Sequence, residues 1–235
     1  METQNQKKLI LYNDPMSAPC RSIVAFCKLN NIPFETKDVL VSMMQTQSKD
    51  FKQVNPIAQV PAIKEIDLKT NEEWSLGESH AILRYLVATR NLPEHWYPKD
   101  PRQRAKVDQY LDWHHTFLRQ GSSIYAFMKL FMPKLMNKKI PEEQLKFQYS
   151  YLTRSLNLME RWLTENIFLT GHQMTIADIS AACELSQTRF IALDLSQWPK
   201  VQAWFNKIVV ENPVVNEVHQ PFFKFASEIT SQPKL

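Results

Sequence analysis

Glycine is scarce: only Gly77, Gly121 and Gly171 occur in 235 residues, far apart. Neither a Walker loop nor a G-x-G-x-x-G turn can be written with them, which removes the usual backbone cradles for nucleotide phosphates. Cysteine is scarce too. Cys20, Cys27 and Cys183 are odd in number and show no C-x-x-C spacing, which argues against a disulfide scaffold and a thiolate zinc site; no metal is expected. No apolar run approaches about 18 residues, so no membrane span is expected, and Leu9 to Tyr12 is too short for a secretion signal. The excess of one charge is small, 28 Lys plus Arg against 24 Asp plus Glu, too mild to point to nucleic acid. Cytoplasm is the expected location; the terminal Pro233-Lys234-Leu235 only brushes the peroxisomal S-K-L address.

What is present is ordinary for a globular protein: 44% hydrophobic and 22% charged residues. The first ninety residues alternate strand and helix. Leu9 to Tyr12 reads as a strand, the stretch after Pro19 as a helix ending at Asn30-Asn31, and Phe34 to Leu40 as a second strand. Residues 42–58 read as polar and irregular. Pro61 to Ile66 and Trp74 to Leu76 suggest a hairpin, and Ser79 to Arg90 a helix with Ile82, Leu83 and Leu86 on one face. Three prolines within 91–103 mark a linker.

Beyond 103 the periodicity is helical. Val107, Tyr110, Leu111, Phe117, Leu118, Tyr125 and Met128 trace one stripe; Leu145, Tyr149, Leu152, Leu156, Met159 and Leu163 trace another behind Pro141. Thr175 and Asp178 fit a capping box. The expected organisation is an α/β domain over 7–90, the linker 91–103 and an all-α domain over 104–235.

Three stretches could carry chemistry. Ser17 lies where the first strand meets the first helix, whose free N–H groups and partial positive charge stabilise an anion. A thiolate there would be favoured, since thiols at helix N-termini fall from about 8.5 to between roughly 3.5 and 7.5. Ser17 equally reads as a plain N-cap. Val60 precedes Pro61; a cis bond there would turn the Val60 backbone outward to pair with a peptide. Glu78 and Ser79 precede the helix at 79–90, a second anion site with a carboxylate suited to an ammonium, or again a plain cap.

These stretches carry a family resemblance. The motifs S-x-P-C-R from Ser17, Q-V-N-P from Gln53, V-P-A from Val60, L-x-E-S-x-A-I-L-x-Y-L from Leu76 and W-Y-P-x-D from Trp96 resemble the glutathione transferases, theta class. The likeness runs over about residues 9–210; the last 25, with Phe222, Phe223 and Phe225, fall outside it. It implies a thioredoxin-like N-terminal domain plus an all-α C-terminal domain. It also implies conjugation of glutathione to small electrophiles such as alkyl halides, or reduction of organic hydroperoxides. Glutathione would be a cosubstrate, with no other cofactor, and the protein a homodimer.

Carried over by motif, Ser17 holds the thiolate, Val60 with Gln59 and Pro61 meets the cysteine of the tripeptide, and Glu78 and Ser79 hold its γ-glutamyl end. The segment 42–49 offers Gln45, Thr46, Gln47, Ser48 and Lys49, but no histidine, for the glycine carboxylate; Thr46 is the candidate named here. Asp112, His115, Thr116 and Arg119 share a face by helical spacing, and the resemblance puts that helix beside the ligand and the dimer partner. Tyr12, Cys27, Cys183 and His114 read as core. Two other functions stay open: a thiol–disulfide enzyme working through Cys20, and a non-catalytic binding module.

Overall fold

The computed structural model describes residues 7–231 and divides into the units Met1–Trp96 and Tyr97–Leu235. The terminal tripeptide considered above lies outside the described residues. The first unit runs β1 (Lys7–Asn13), α1 (Ala18–Leu29), β2 (Glu35–Asp38), α2 (Lys49–Val54), β3 (Ala62–Asp67), β4 (Glu73–Gly77) and α3 (Ser79–Thr89). Its sheet has the order β2-β1-β3-β4, with β1 and β2 parallel and the other neighbours antiparallel.

Alternation in β1 explains the layers. Leu9 and Leu11 are buried, as are Ile23 and Phe26 of α1 and Ile82, Leu83 and Leu86 of α3; α1 packs beside α3. Tyr12 points the other way and joins Val39, Phe51 and Ala62 in a second cluster, its ring 5.7 Å from that of Phe51. Strand β2 is shorter than the apolar span 34–40 suggests. All four of its residues are exposed, as suits an edge strand kept polar against unwanted pairing.

Residues 42–58 are not irregular throughout. Two 3₁₀ turns lead into α2, which Ser48 caps by accepting the Phe51 N–H at 3.2 Å. A six-residue helix with one fully buried side chain, Phe51, leaves too short a pattern to read.

The second unit is helical: α4 (Pro101–Thr116), α5 (Tyr125–Leu130), α6 (Met132–Met136), α7 (Glu142–Glu165), α8 (Ile176–Ser186), α9 (Pro199–Phe205) and α10 (Pro213–Ser231). The last residues of the proline-rich stretch 91–103 are thus helix. Pro101 opens α4, where its missing N–H costs nothing, and Asp100 accepts the N–H groups of Arg102 and Gln103 at 3.1 and 2.9 Å.

The first apolar stripe does not lie on one continuous helix. Helix α4 stops at Thr116, Phe117 leaves helical geometry (φ −128°, ψ −73°), and residues 120–124 form a π-helical turn before α5. Gly121 accounts for the crossing that this permits. A Cβ at that position would sit 2.1 Å from the Leu152 backbone nitrogen and 2.4 Å from its Cα, so only glycine lets α7 approach. Asp112, His115, Thr116 and Arg119 therefore do not share one helix face as expected: Arg119 lies past the break.

The capping box at Thr175 is present. Thr175 Oγ1 accepts the Ala177 N–H at 3.2 Å, and Asp178 accepts the Thr175 N–H at 2.9 Å. The Asp178 carboxylate also accepts from Leu169 N–H and Trp204 Nε1, which ties α8 to α9. The unassigned phenylalanines belong to α10, where Phe222 is buried edge-on to Phe190 at 5.1 Å.

Candidate active site

Strand register decides whether the motif residues of the first unit meet. Tyr12 pairs with Ala62 and Ala62 with Gly77, while Asn13 pairs with Asp38. The end of β1, the start of β3 and the end of β4 are therefore side by side. The segments bearing Ser17, Gln59-Val60-Pro61 and Glu78-Ser79 all leave the sheet at this one end.

Asp14 shapes the first segment. Its carboxylate, buried, accepts the Met16 N–H and the Val41 N–H, each at 2.9 Å, and its carbonyl accepts the Ser17 N–H at 3.0 Å. From beneath, Arg21 donates through Nη1 to the Pro15 carbonyl at 2.9 Å. Ser17 occupies the N-cap of α1, but its side chain caps no backbone N–H of the helix. The first helical bond is Arg21 N–H to Ser17 O, and Pro19 has no N–H. The N–H groups of Ala18 and Cys20 thus precede the helical ladder at the positive end of α1.

The Val60–Pro61 bond is cis, and Val60 stands just outside a ladder that begins at Ala62. Asn55 fixes this corner. It is buried, donates through Nδ2 to the Gln59 carbonyl at 2.7 Å and accepts the Ile57 N–H at 3.2 Å. Its amide also occupies the space beside Gly77, where an added Cβ would lie 2.8 Å away. Asn55 thereby couples the Val60 segment to the end of β4. In the sequence, only the place of Asn55 before Pro56 hints at this role.

Glu78, not Ser79, is the N-cap of α3; Ser79 is its first helical residue and is buried. Glu78 is exposed, makes no cap bond, and adopts φ 66°, ψ 112°. A non-glycine residue held there costs on the order of 1–3 kcal/mol and tends to mark a functional turn. The first helical bond is Ile82 N–H to Glu78 O at 2.9 Å, so the N–H groups of Ser79, His80 and Ala81 lie ahead of it.

Thr46 is turned inward, 6% exposed, unlike its neighbours. Gln45 is engaged with the Leu40 N–H and Ser48 with the α2 cap. Gln47 and Lys49 are the exposed polar groups left in that segment.

Cys20 is fully buried. Burial pushes its thiol up to about 12, against hydrogen bonds from Ser17 and the Asp14 backbone; Cys27, likewise buried, is also pushed up to about 12. Cys183 is buried too. A soluble disulfide reagent should therefore release no thiol signal from the native protein and three equivalents after denaturation. Fast release of one equivalent before unfolding would contradict the burial.

In the second unit, Arg119 is engaged. Its Nη1 lies 3.3 Å from the buried Glu184 carboxylate, which also accepts from Ser122 Oγ at 2.7 Å, from the Ser123 hydroxyl and from the Ser123 N–H at 3.2 Å. His114 Nε2 is 3.7 Å away, while its Nδ1 meets the Tyr110 hydroxyl at 3.1 Å. Burial alone would raise the Glu184 carboxyl. The neighbouring His114 imidazole, the Arg119 charge and the Ser122 hydroxyl together hold it well below the ordinary carboxylate range. Thr116 and His115 are exposed, the Thr116 hydroxyl bonding to Trp113 O. Among the described residues no group of three or more His, Cys, Asp or Glu could hold a metal.

Comparison with known proteins decides the family. The Glutathione S-transferase N-terminal domain matches residues 11–94 and the Glutathione S-transferase C-terminal domain residues 124–212. Glutathione S-transferase T1 of Arabidopsis thaliana is 41% identical over 234 residues, covering 92% of this chain and 90% of the relative. Glutathione S-transferase theta-3 of Mus musculus is 34% identical over 229 residues, covering 92% and 89%. The chain belongs to the glutathione transferase family. A human theta-class glutathione transferase, solved with the glutathione conjugate of 1-menaphthyl sulfate, superposes on this transferase with a TM-score of 0.84. The identity is 30%, over 95% of this chain and 90% of that one. The transferase shares the expected fold, a thioredoxin-like α/β unit followed by a helical one, and its relatives place it in the theta class.

Proposed function

We propose that this transferase binds glutathione at the shared strand end of its first unit and ionises the thiol there. The Ser17 hydroxyl, now directed at the Cys20 sulfur, turns about one single bond to donate to the incoming sulfur. The N-terminus of α1 adds its positive potential. Val60 pairs its backbone with the tripeptide's cysteine, with Gln59 and Pro61 alongside. Glu78 takes the γ-glutamyl ammonium, and the Ser79 hydroxyl with the α3 N–H groups takes the carboxylate. Thr46 lies too far inward for the glycine carboxylate, so exposed Lys49 is the better partner. The thiolate then attacks a carbon of the electrophile; the new C–S bond forms as the carbon–halogen bond breaks and halide leaves with its electron pair. Alkyl halides and reactive alkenes are the substrate classes, and organic hydroperoxides the next. Arg119 serves the fold through Glu184, leaving Thr116 and His115 as the candidates for contact with electrophile or subunit. A cytoplasmic homodimer with no further cofactor completes the reading; sedimentation at one chain mass would remove the dimer.

The observation that carries this is the in-register convergence of three strand ends, each followed or preceded by a motif residue. Ultraviolet titration of the glutathione complex tests it. The bound thiol should ionise between roughly 3.5 and 7.5, not near the 8.5 of a free thiol. A titration matching free ligand at saturation would end it. A thiol–disulfide mechanism through Cys20 is disfavoured by the burial of that sulfur, and a Cys20→Ala variant should keep its conjugating activity.

A further inference from the structure

Between Asp112 and Glu142 the sequence contains no acidic residue, yet it carries Arg119, Lys129, Lys134, Lys138 and Lys139. Arg119 is committed to Glu184; the lysines gather at the far end. Helix α6 closes there on Asn137, whose left-handed backbone (φ 48°) turns the chain. Residues 134–139, Lys-Leu-Met-Asn-Lys-Lys, are exposed without interruption. Leu135 is 74% exposed and Met136 56%, an unusual placing for large apolar side chains beside one another. Phe127, also exposed, stacks on Phe131 at 6.2 Å, and Phe131 packs edge-on against Phe190 at 5.4 Å. The base of the segment is thus anchored while its tip is bare. Glu142, the first carboxylate beyond it, is taken by Lys146 at 2.9 Å.

We propose that this tip docks on the surface of an anionic bilayer. Leu135 and Met136 enter the boundary between headgroups and acyl chains, and Lys134, Lys138 and Lys139 face the lipid phosphates and carboxylates. Lysines around exposed apolar side chains are the composition of an interfacial membrane contact. A nucleic-acid backbone would use the same lysines but leave Leu135 and Met136 in water. The site is independent of the glutathione chemistry and needs no membrane-spanning helix, of which there is none among the described residues.

Co-sedimentation of the full chain with vesicles tests this, comparing pure phosphatidylcholine with phosphatidylcholine mixed with phosphatidylserine. The wild type should pellet with the mixed vesicles and largely stay free of the neutral ones. Each lysine near an anionic leaflet strengthens binding roughly fivefold, so K134Q/K138Q/K139Q should weaken partitioning about 100-fold. L135S/M136S should still adsorb at low salt but release fully at high salt, where the wild type retains a bound fraction. All five positions are exposed, so unchanged thermal melts should accompany both variants. Equal binding to the two vesicle types, or a lysine variant that binds like wild type, would overturn the proposal. So would retention on heparin without vesicle binding, which would point to a soluble polyanion.

Discussion

Ser17→Ala should lower turnover by roughly 10- to 150-fold, the effect of losing a hydrogen bond to a charged group worth about 1.5–3 kcal/mol. Folding should change little, because the Ser17 side chain caps no backbone N–H of the helix and its hydroxyl meets the Cys20 sulfur, a weak acceptor. KM for glutathione should change little, since Glu78, Ser79 and Val60 remain. The acidic limb of the rate profile should move to higher pH: without the hydroxyl the thiolate is less stabilised, its pKa rises, and less of it exists at a given pH. Ser17→Thr, which keeps a hydroxyl, should recover much of the rate. Steady-state kinetics over several electrophiles give the answer, and unchanged turnover in Ser17→Ala throughout would mean that another group ionises the sulfur.

Glu184→Ala should be the most damaging substitution in the second unit. It leaves Arg119, His114, Ser122 and Ser123 around a vacated centre, and breaking a buried ion pair from one side costs about 3–5 kcal/mol. At about 2–4 °C per kcal/mol for a domain of this size, the melting temperature should drop by roughly 6–20 °C. The linkage has a definite sign. The Glu184 carboxyl is held below its ordinary range in the folded protein, so its contribution is complete above the unfolded value of about 4.3 and fades as pH falls toward the folded one. Wild type should therefore lose its advantage over Glu184→Gln in acid, as thermal melts between pH 7 and pH 3 would show. Parallel curves for the two proteins would place the carboxylate outside the network that supports the π-helical turn.

Local chemistry was legible and distant contacts were not. Ser17, Glu78 and Ser79 could be named because each sits at a strand–helix junction whose N–H groups any reader can count. The α/β and all-α halves followed from hydrophobic period. Asn55 could not be assigned a role, because its work depends on a bare Gly77 more than twenty residues away. The break at Phe117 was hidden for a related reason: it accompanies the approach of Leu152 to Gly121, a tertiary contact that overrides an unbroken apolar stripe. Arg119 reads equally as a substrate contact, a solvated arginine or a structural ion pair, since the partner that decides, Glu184, lies on another helix 65 residues later. Thr46 and Gln47 are adjacent polar residues, and only the folded backbone turns the first inward and the second to solvent.

The three sheltered sulfurs have a bearing on catalyst lifetime. An enzyme that brings electrophiles to a reactive thiolate risks being alkylated by its own substrates. Here the nucleophile arrives with the cosubstrate and departs in the product, while the chain's own cysteines stay buried and out of reach. Suicide inactivation finds no accessible cysteine thiol, and alkylation falls on a consumable thiol instead of on one of the protein's own.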